Sequence, residues 1–111
     1  MDFPIVVADR GGKDLSLYAS VAAAESQLEA VDVRNNEYVA YDAAGRLLTI
    51  SMKAEIVRIT AGDTEPRHEQ ELRSALVSFL VACGTPKETL DGLALNQLIA
   101  LVDRSDGFAP R

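Results

Sequence analysis

The sequence predicts an α+β fold: an antiparallel or mixed sheet of about four to five strands with three helices packed on it. Three observations carry that prediction. Short apolar or alternating runs at residues 3–8, 15–18, 37–41, 46–52 and 55–61 are separated by turn-forming residues. Apolar residues at three- and four-residue spacing mark helices at residues 21–30, 66–83 and, beyond a break, up to residue 102. The order of strands, helix, strands, helix, helix lacks the sustained βαβ alternation of a parallel sheet.

Each element has a local reason. Residues 3–8 are apolar and rich in β-branched side chains, and Arg10-Gly11-Gly12-Lys13 reads as the turn into a second strand at residues 15–18. Ser20 is a good helix cap, and Val21, Ala24, Leu28 and Val31 share one helical face, leaving Glu25 and Glu29 on the opposite, wet side. Residues 33–36 form a polar turn. In the strand that follows, Val39 and Tyr41 face one way and Tyr38 and Ala40 the other. Asp42-Ala43-Ala44-Gly45 is the clearest hairpin turn, with a side-chain acceptor at its start and glycine at its end. Its partner strand spans residues 46–52, and a reversal at Lys53-Ala54 leads into residues 55–61.

Gly62-Asp63-Thr64 breaks the sheet. Pro66 suits a first helical turn, where its missing N–H is not needed. Leu72, Ala75, Leu76, Phe79, Leu80 and Cys83 form that helix's apolar face, and Gly84 supplies a left-handed stop. Thr85 and Glu88 have the spacing of a capping box. Gly92 divides a short turn from the final helix, and residues 103–111 read as a frayed tail. The expectation is one sheet covered on one face by helices.

With 111 residues, 48% of them apolar and 25% charged, the chain has room for one core, so residues 1–111 are read as a single domain. Residues 1–10 carry Asp2 ahead of a short apolar run and lack the basic and long apolar regions of a secretion signal. No segment approaches the roughly 18 to 20 apolar residues that span a bilayer. The single Cys83 excludes an internal disulfide, and the cytoplasm is the expected compartment.

The inventory for catalysis is thin. His68 is the one histidine, and Leu72 stands where an HExxH zinc motif needs its second. Cys83 lies about fifteen residues further along the same helix, roughly 22 Å by helical rise, so the two cannot form a nucleophile–base pair. Its place on the apolar face makes it a small buried hydrophobe. Gly12-Lys13 resembles a phosphate loop only superficially, since Asp14 replaces the Ser or Thr and Val7 stands at the first glycine. No enzyme activity, cofactor or metal is expected.

The net charge is −6 and is unevenly placed. Asp14, Glu25, Glu29, Asp32, Glu37 and Asp42 face a single base, Arg34, between residues 14 and 42. Such a surface disfavours direct nucleic-acid binding, which relies on releasing counterions from a basic footprint, and favours a basic protein partner. A solvated, solubilising surface is the plainer alternative. The candidate partner-binding residues are Glu25, Glu29, Asp32, Glu37, Tyr38 and Asp42, tyrosine being favoured at interfaces.

The stretch from residue 14 to residue 48, with DLSLYASVAAAESQLEAVDV running into EYVAYDAAGRLL, resembles small bacterial immunity proteins encoded beside polymorphic or contact-dependent toxins. The resemblance implies a short, acidic, non-enzymatic cytoplasmic protein whose partner is a cognate toxin domain, such as a basic nuclease, and whose acidic surface occludes it. The alternatives are a homo-oligomeric adaptor or small-ligand-binding module, and a small enzyme.

Overall fold

The structure, a computed structural model, describes residues 1–10, 14–62 and 65–105. Gly11-Gly12-Lys13 of the first expected turn, Asp63-Thr64 of the expected break, and the tail from residue 106 onward lie outside the described residues.

Five strands form one antiparallel sheet: β1 (Ile5–Asp9), β2 (Leu15–Tyr18), β3 (Tyr38–Tyr41), β4 (Leu47–Lys53) and β5 (Ile56–Ala61), in the order β2-β1-β3-β4-β5. The helices are α1 (Val21–Gln27), α2 (Ala30–Arg34), α3 (Glu69–Ala82), α4 (Lys87–Leu90) and α5 (Leu95–Ser105). The class is α+β, as the sequence predicts, with five helices rather than three.

The helices cover both faces of the sheet, not one. Ile5, Val6, Val7 and Ala8 are all buried, so β1 presents apolar side chains on both sides. Ile5 and Val7 pack with Ala24 and Leu28 of the α1–α2 layer, whereas Val6 packs with Leu72, Leu76 and Leu98 of the α3–α5 layer. Strand β3 divides its side chains in the same way, Ala40 toward α1 and Tyr41 toward α3. Past Leu47, which packs with the α3–α5 layer, the β4–β5 ribbon is one-sided: Leu48, Val57 and Ile59 are buried, while Thr49, Ser51, Arg58 and Thr60 on its other face are exposed.

The helix expected over residues 21–30 breaks. Ser20 caps α1, its hydroxyl accepting from Ala23 N–H at 3.1 Å, but Leu28 is extended (φ −79, ψ 134) and only 7% exposed. Burying Leu28 against the sheet turns the chain, and α2 then restarts at Ala30.

Smaller corrections follow the same logic. The β4–β5 reversal falls at Ala54 and Glu55, both at positive φ, the geometry of a two-residue hairpin that matches strand twist. Pro66 precedes α3, which starts at Glu69. Pro86, not Thr85, occupies the position before α4, and Thr85 N–H instead donates to Leu80 O at 3.0 Å. Cys83 is the exposed residue that caps the C-terminal end of α3, not a buried hydrophobe. Asp103 continues α5 rather than opening a frayed tail.

The hairpin turn at Asp42-Ala43-Ala44-Gly45 is a structural hub. One carboxylate oxygen of Asp42 accepts from the N–H groups of Ala44 and Arg46, at 3.0 and 2.9 Å. The other accepts from Asp2 N–H at 3.1 Å and from the Arg46 guanidinium at 2.9 Å. Gly45 sits at φ +95, and a Cβ there would lie 2.8 Å from Glu69 Cα, so the turn can press against the start of α3 only as glycine.

Candidate functional site

A cleft of about 480 Å³ opens where β1, β2, the α1–α2 corner and β3 meet. Asp9 ends β1, Asp14 precedes β2, Asp32 lies in α2, Glu37 precedes β3 and Tyr38 begins it; all five line the cleft. Backbone pairing fixes their spacing. Asp9 pairs with Tyr38 in the β1–β3 register. Asp9 N–H donates to Asp14 O at 3.1 Å, Arg10 N–H to Glu37 O at 2.8 Å, and Glu37 N–H to Asp32 O at 3.1 Å. Four carboxylate residues from separate parts of the chain thus share one concavity, and no Lys or Arg is among the described residues lining it.

The local field is legible in Tyr38. Its hydroxyl donates to Asp32 Oδ2 at 3.0 Å. The phenol is pushed up to about 12, first by burial, then by that hydrogen bond and by the negative charges of Asp32 and Glu29. A phenol surrounded by anions resists becoming one. Such a concavity favours a cation.

The six predicted residues separate into two sets. Asp32, Glu37 and Tyr38 come together in the cleft. Glu29 is exposed at the start of α2, close enough to act on the Tyr38 phenol. Glu25 does not stand on a wet stripe: it accepts from the Ile59 N–H at 2.7 Å and lies 3.9 Å from the Arg58 guanidinium, so it covers the edge of β5. Asp42 is not on the surface at all. It is 0% exposed, and its four donors employ both carboxylate oxygens. Burial pushes its carboxyl up, but the hydrogen bonds from Arg46, Asp2 and Ala44 outweigh that and hold it below the ordinary value.

Asp9 is a cleft residue outside the acidic stretch read from sequence, and Asp14, the first acid of that stretch, is one that the candidate partner-binding residues leave out. Their signal was present: two acids flank the first turn, one on each side. What sequence spacing does not show is that β1 pairs with β3, which brings Asp9 beside Tyr38 and Arg10 beside Glu37.

Two other groups bear on chemistry. Tyr41 donates to Glu71 at 3.1 Å, and Glu71 meets His68 Nδ1 at 3.0 Å, a chain that ties β3 to the start of α3. His68 and Cys83 stand at opposite ends of α3. Among the described residues, no group of three or more His, Cys, Asp or Glu side chains is arranged to hold a metal ion, and no helix is long and apolar enough to cross a membrane. Comparison with protein-family models, with curated proteins and with solved structures finds no match to this chain.

Proposed function

We propose that this is a non-catalytic cytoplasmic binding protein whose acidic cleft holds a basic surface of a protein partner, as an immunity protein holds its cognate toxin domain. The observation that carries the reading is the convergence of Asp14, Asp32 and Glu37 on one cleft with no lining base among the described residues. A cationic partner surface is the electrostatic complement of such a cleft. The net charge of −6 adds long-range steering toward such a partner and repels nucleic acid. The resemblance of residues 14–48 to immunity proteins supports the same class of partner.

The test is co-expression with the product of the adjacent open reading frame. The reading predicts co-purification, and a loss of affinity of about a hundredfold or more when Asp32→Lys and Glu37→Lys are combined, since each close pair across an interface contributes about 1.5 kcal/mol or more. Unchanged affinity in a correctly folded double variant would sink it.

A further inference from the structure

A second concavity, of about 420 Å³, adjoins the acidic cleft at Tyr18, which lines both. Its lining includes Phe3, Pro4 and Leu17 together with Ile99 and Ala100 of α5. Concavities of this size with mainly apolar walls and a few polar groups are the usual form of a binding groove.

Phe3 is 50% exposed, although the chain on both sides of it is fixed. On one side Asp2 N–H donates to the buried Asp42 carboxylate at 3.1 Å, and Asp2 O accepts from Ala43 N–H at 2.9 Å. On the other, Ile5 is fully buried in the sheet. Phe3 thus adds exposed apolar surface to the groove's apolar lining, and an apolar patch bordered by polar residues is the form of a contact site.

Asp103 supplies the groove's charge. It is exposed on the last turns of α5, where the helix's own carbonyl groups add partial negative charge, so this end of the groove favours a cation.

We infer that this groove takes an aromatic or long aliphatic side chain followed closely by Lys or Arg, carried on an extended segment of the same protein partner that meets the acidic cleft. The inference rests on the binding reading above and deepens it: the partner brings an apolar anchor as well as basic charge. One face of Tyr18's surroundings would meet the anchor and the other the basic surface.

The probe is the blocked tetrapeptide Gly-Phe-Gly-Arg, titrated into the ¹⁵N-labelled full chain while backbone amide shifts are followed. Saturable shifts are expected at Leu17, Ala19, Asn96 and Ala100, with a dissociation constant on the order of 1 mM. Replacing the peptide's Phe by Ala should abolish them, and replacing its Arg by Glu should weaken binding by about threefold or more. Ala100→Trp fills the groove from an exposed helical position and should abolish binding with an unchanged circular dichroism spectrum and melting temperature. The combined Asp32→Lys and Glu37→Lys variant should leave peptide binding within about twofold.

No shifts, shifts that survive Ala100→Trp, or equal binding of the Arg and Glu peptides would each overturn the proposal. So would shifts at these amides on raising the protein concentration alone, which would put a second copy in the groove, or on Phe108→Ala without peptide, which would put the chain's own C-terminal segment there. The two readings fail separately. Peptide binding without capture of the adjacent gene product removes that partner and keeps the groove. Capture that depends on Asp32 and Glu37, with no peptide binding, removes the groove and keeps the cleft.

Discussion

Asp42 shows how far a residue's role can depart from its type. An aspartate at the head of a hairpin turn reads as an exposed acceptor for the turn's own N–H groups, and two of its four hydrogen bonds are of that kind. The other two reach Asp2 and the Arg46 guanidinium and require full burial, which no local pattern specifies. Removing the carboxylate leaves three N–H groups and a guanidinium facing a cavity. Asp42→Ala is therefore expected to lower unfolding stability by about 3–5 kcal/mol, with Asp42→Asn costing less because one acceptor survives. Urea unfolding of both variants measures this, and a midpoint for Asp42→Ala equal to that of the parent would contradict it. Because the folded carboxyl titrates below its ordinary 3.8, its contribution is present above that pH and is lost as pH falls through the lower, folded value. The parent should lose stability below about pH 4 more steeply than Asp42→Asn does.

At the scale of elements, the sequence was most informative where local chemistry decides. The β3–β4 hairpin follows from Asp42 and Gly45, the α1 start from Ser20, and the end of α3 from Gly84 at φ +105. It was least informative where a distant contact decides. Leu28 is a good helix former, and its extended backbone results from burial against the sheet. Cys83 shares the apolar spacing of α3, yet falls at a helix end that extends past the core. Glu25 sits at helical spacing from Glu29, but the outward N–H of Ile59 on the edge strand draws it in.

The short α4 also depends on a partner outside itself. Arg73 of α3 donates to the carbonyls of Leu90, Asp91 and Leu93, so one guanidinium caps the end of α4 and the turn after it. Arg73→Ala is expected to cost about 1–3 kcal/mol and to speed amide exchange at Leu93 while the amide of Leu76 in α3 keeps its protection. Arg73→Lys should rescue little, since an ammonium cannot span three carbonyls as the planar fork does. Hydrogen exchange followed by NMR distinguishes these outcomes, and equal acceleration at Leu76 would point to loss of the whole layer instead.

For the whole molecule, class and acidity were readable in the sequence, and the shape of the acidic surface was not. Within the stretch between residues 14 and 42, Asp32, Glu37 and Tyr38 are neighbours in sequence that stay neighbours in space. It could not show that β1 lies between β2 and β3, the non-local pairing that adds Asp9, places Asp14 beside it and converts a charged stripe into a cleft. It also suggested one helical layer, whereas the two-sided apolar character of β1 calls for two. The outcome divides the molecule into a hydrogen-bonded hub at Asp42, an acidic cleft beside α2, and a wet β4–β5 face opposite the α1–α2 layer.

The most direct test of the account is the amide hydrogen-exchange footprint of the complex with the adjacent gene product. The account predicts protection concentrated at Asp14, Asp32, Glu37 and Tyr38, weakening with added salt as a charge-driven contact should. A salt-insensitive footprint on Thr49, Ser51, Arg58 and Thr60 of the β4–β5 ribbon, with the cleft amides unchanged, would contradict it.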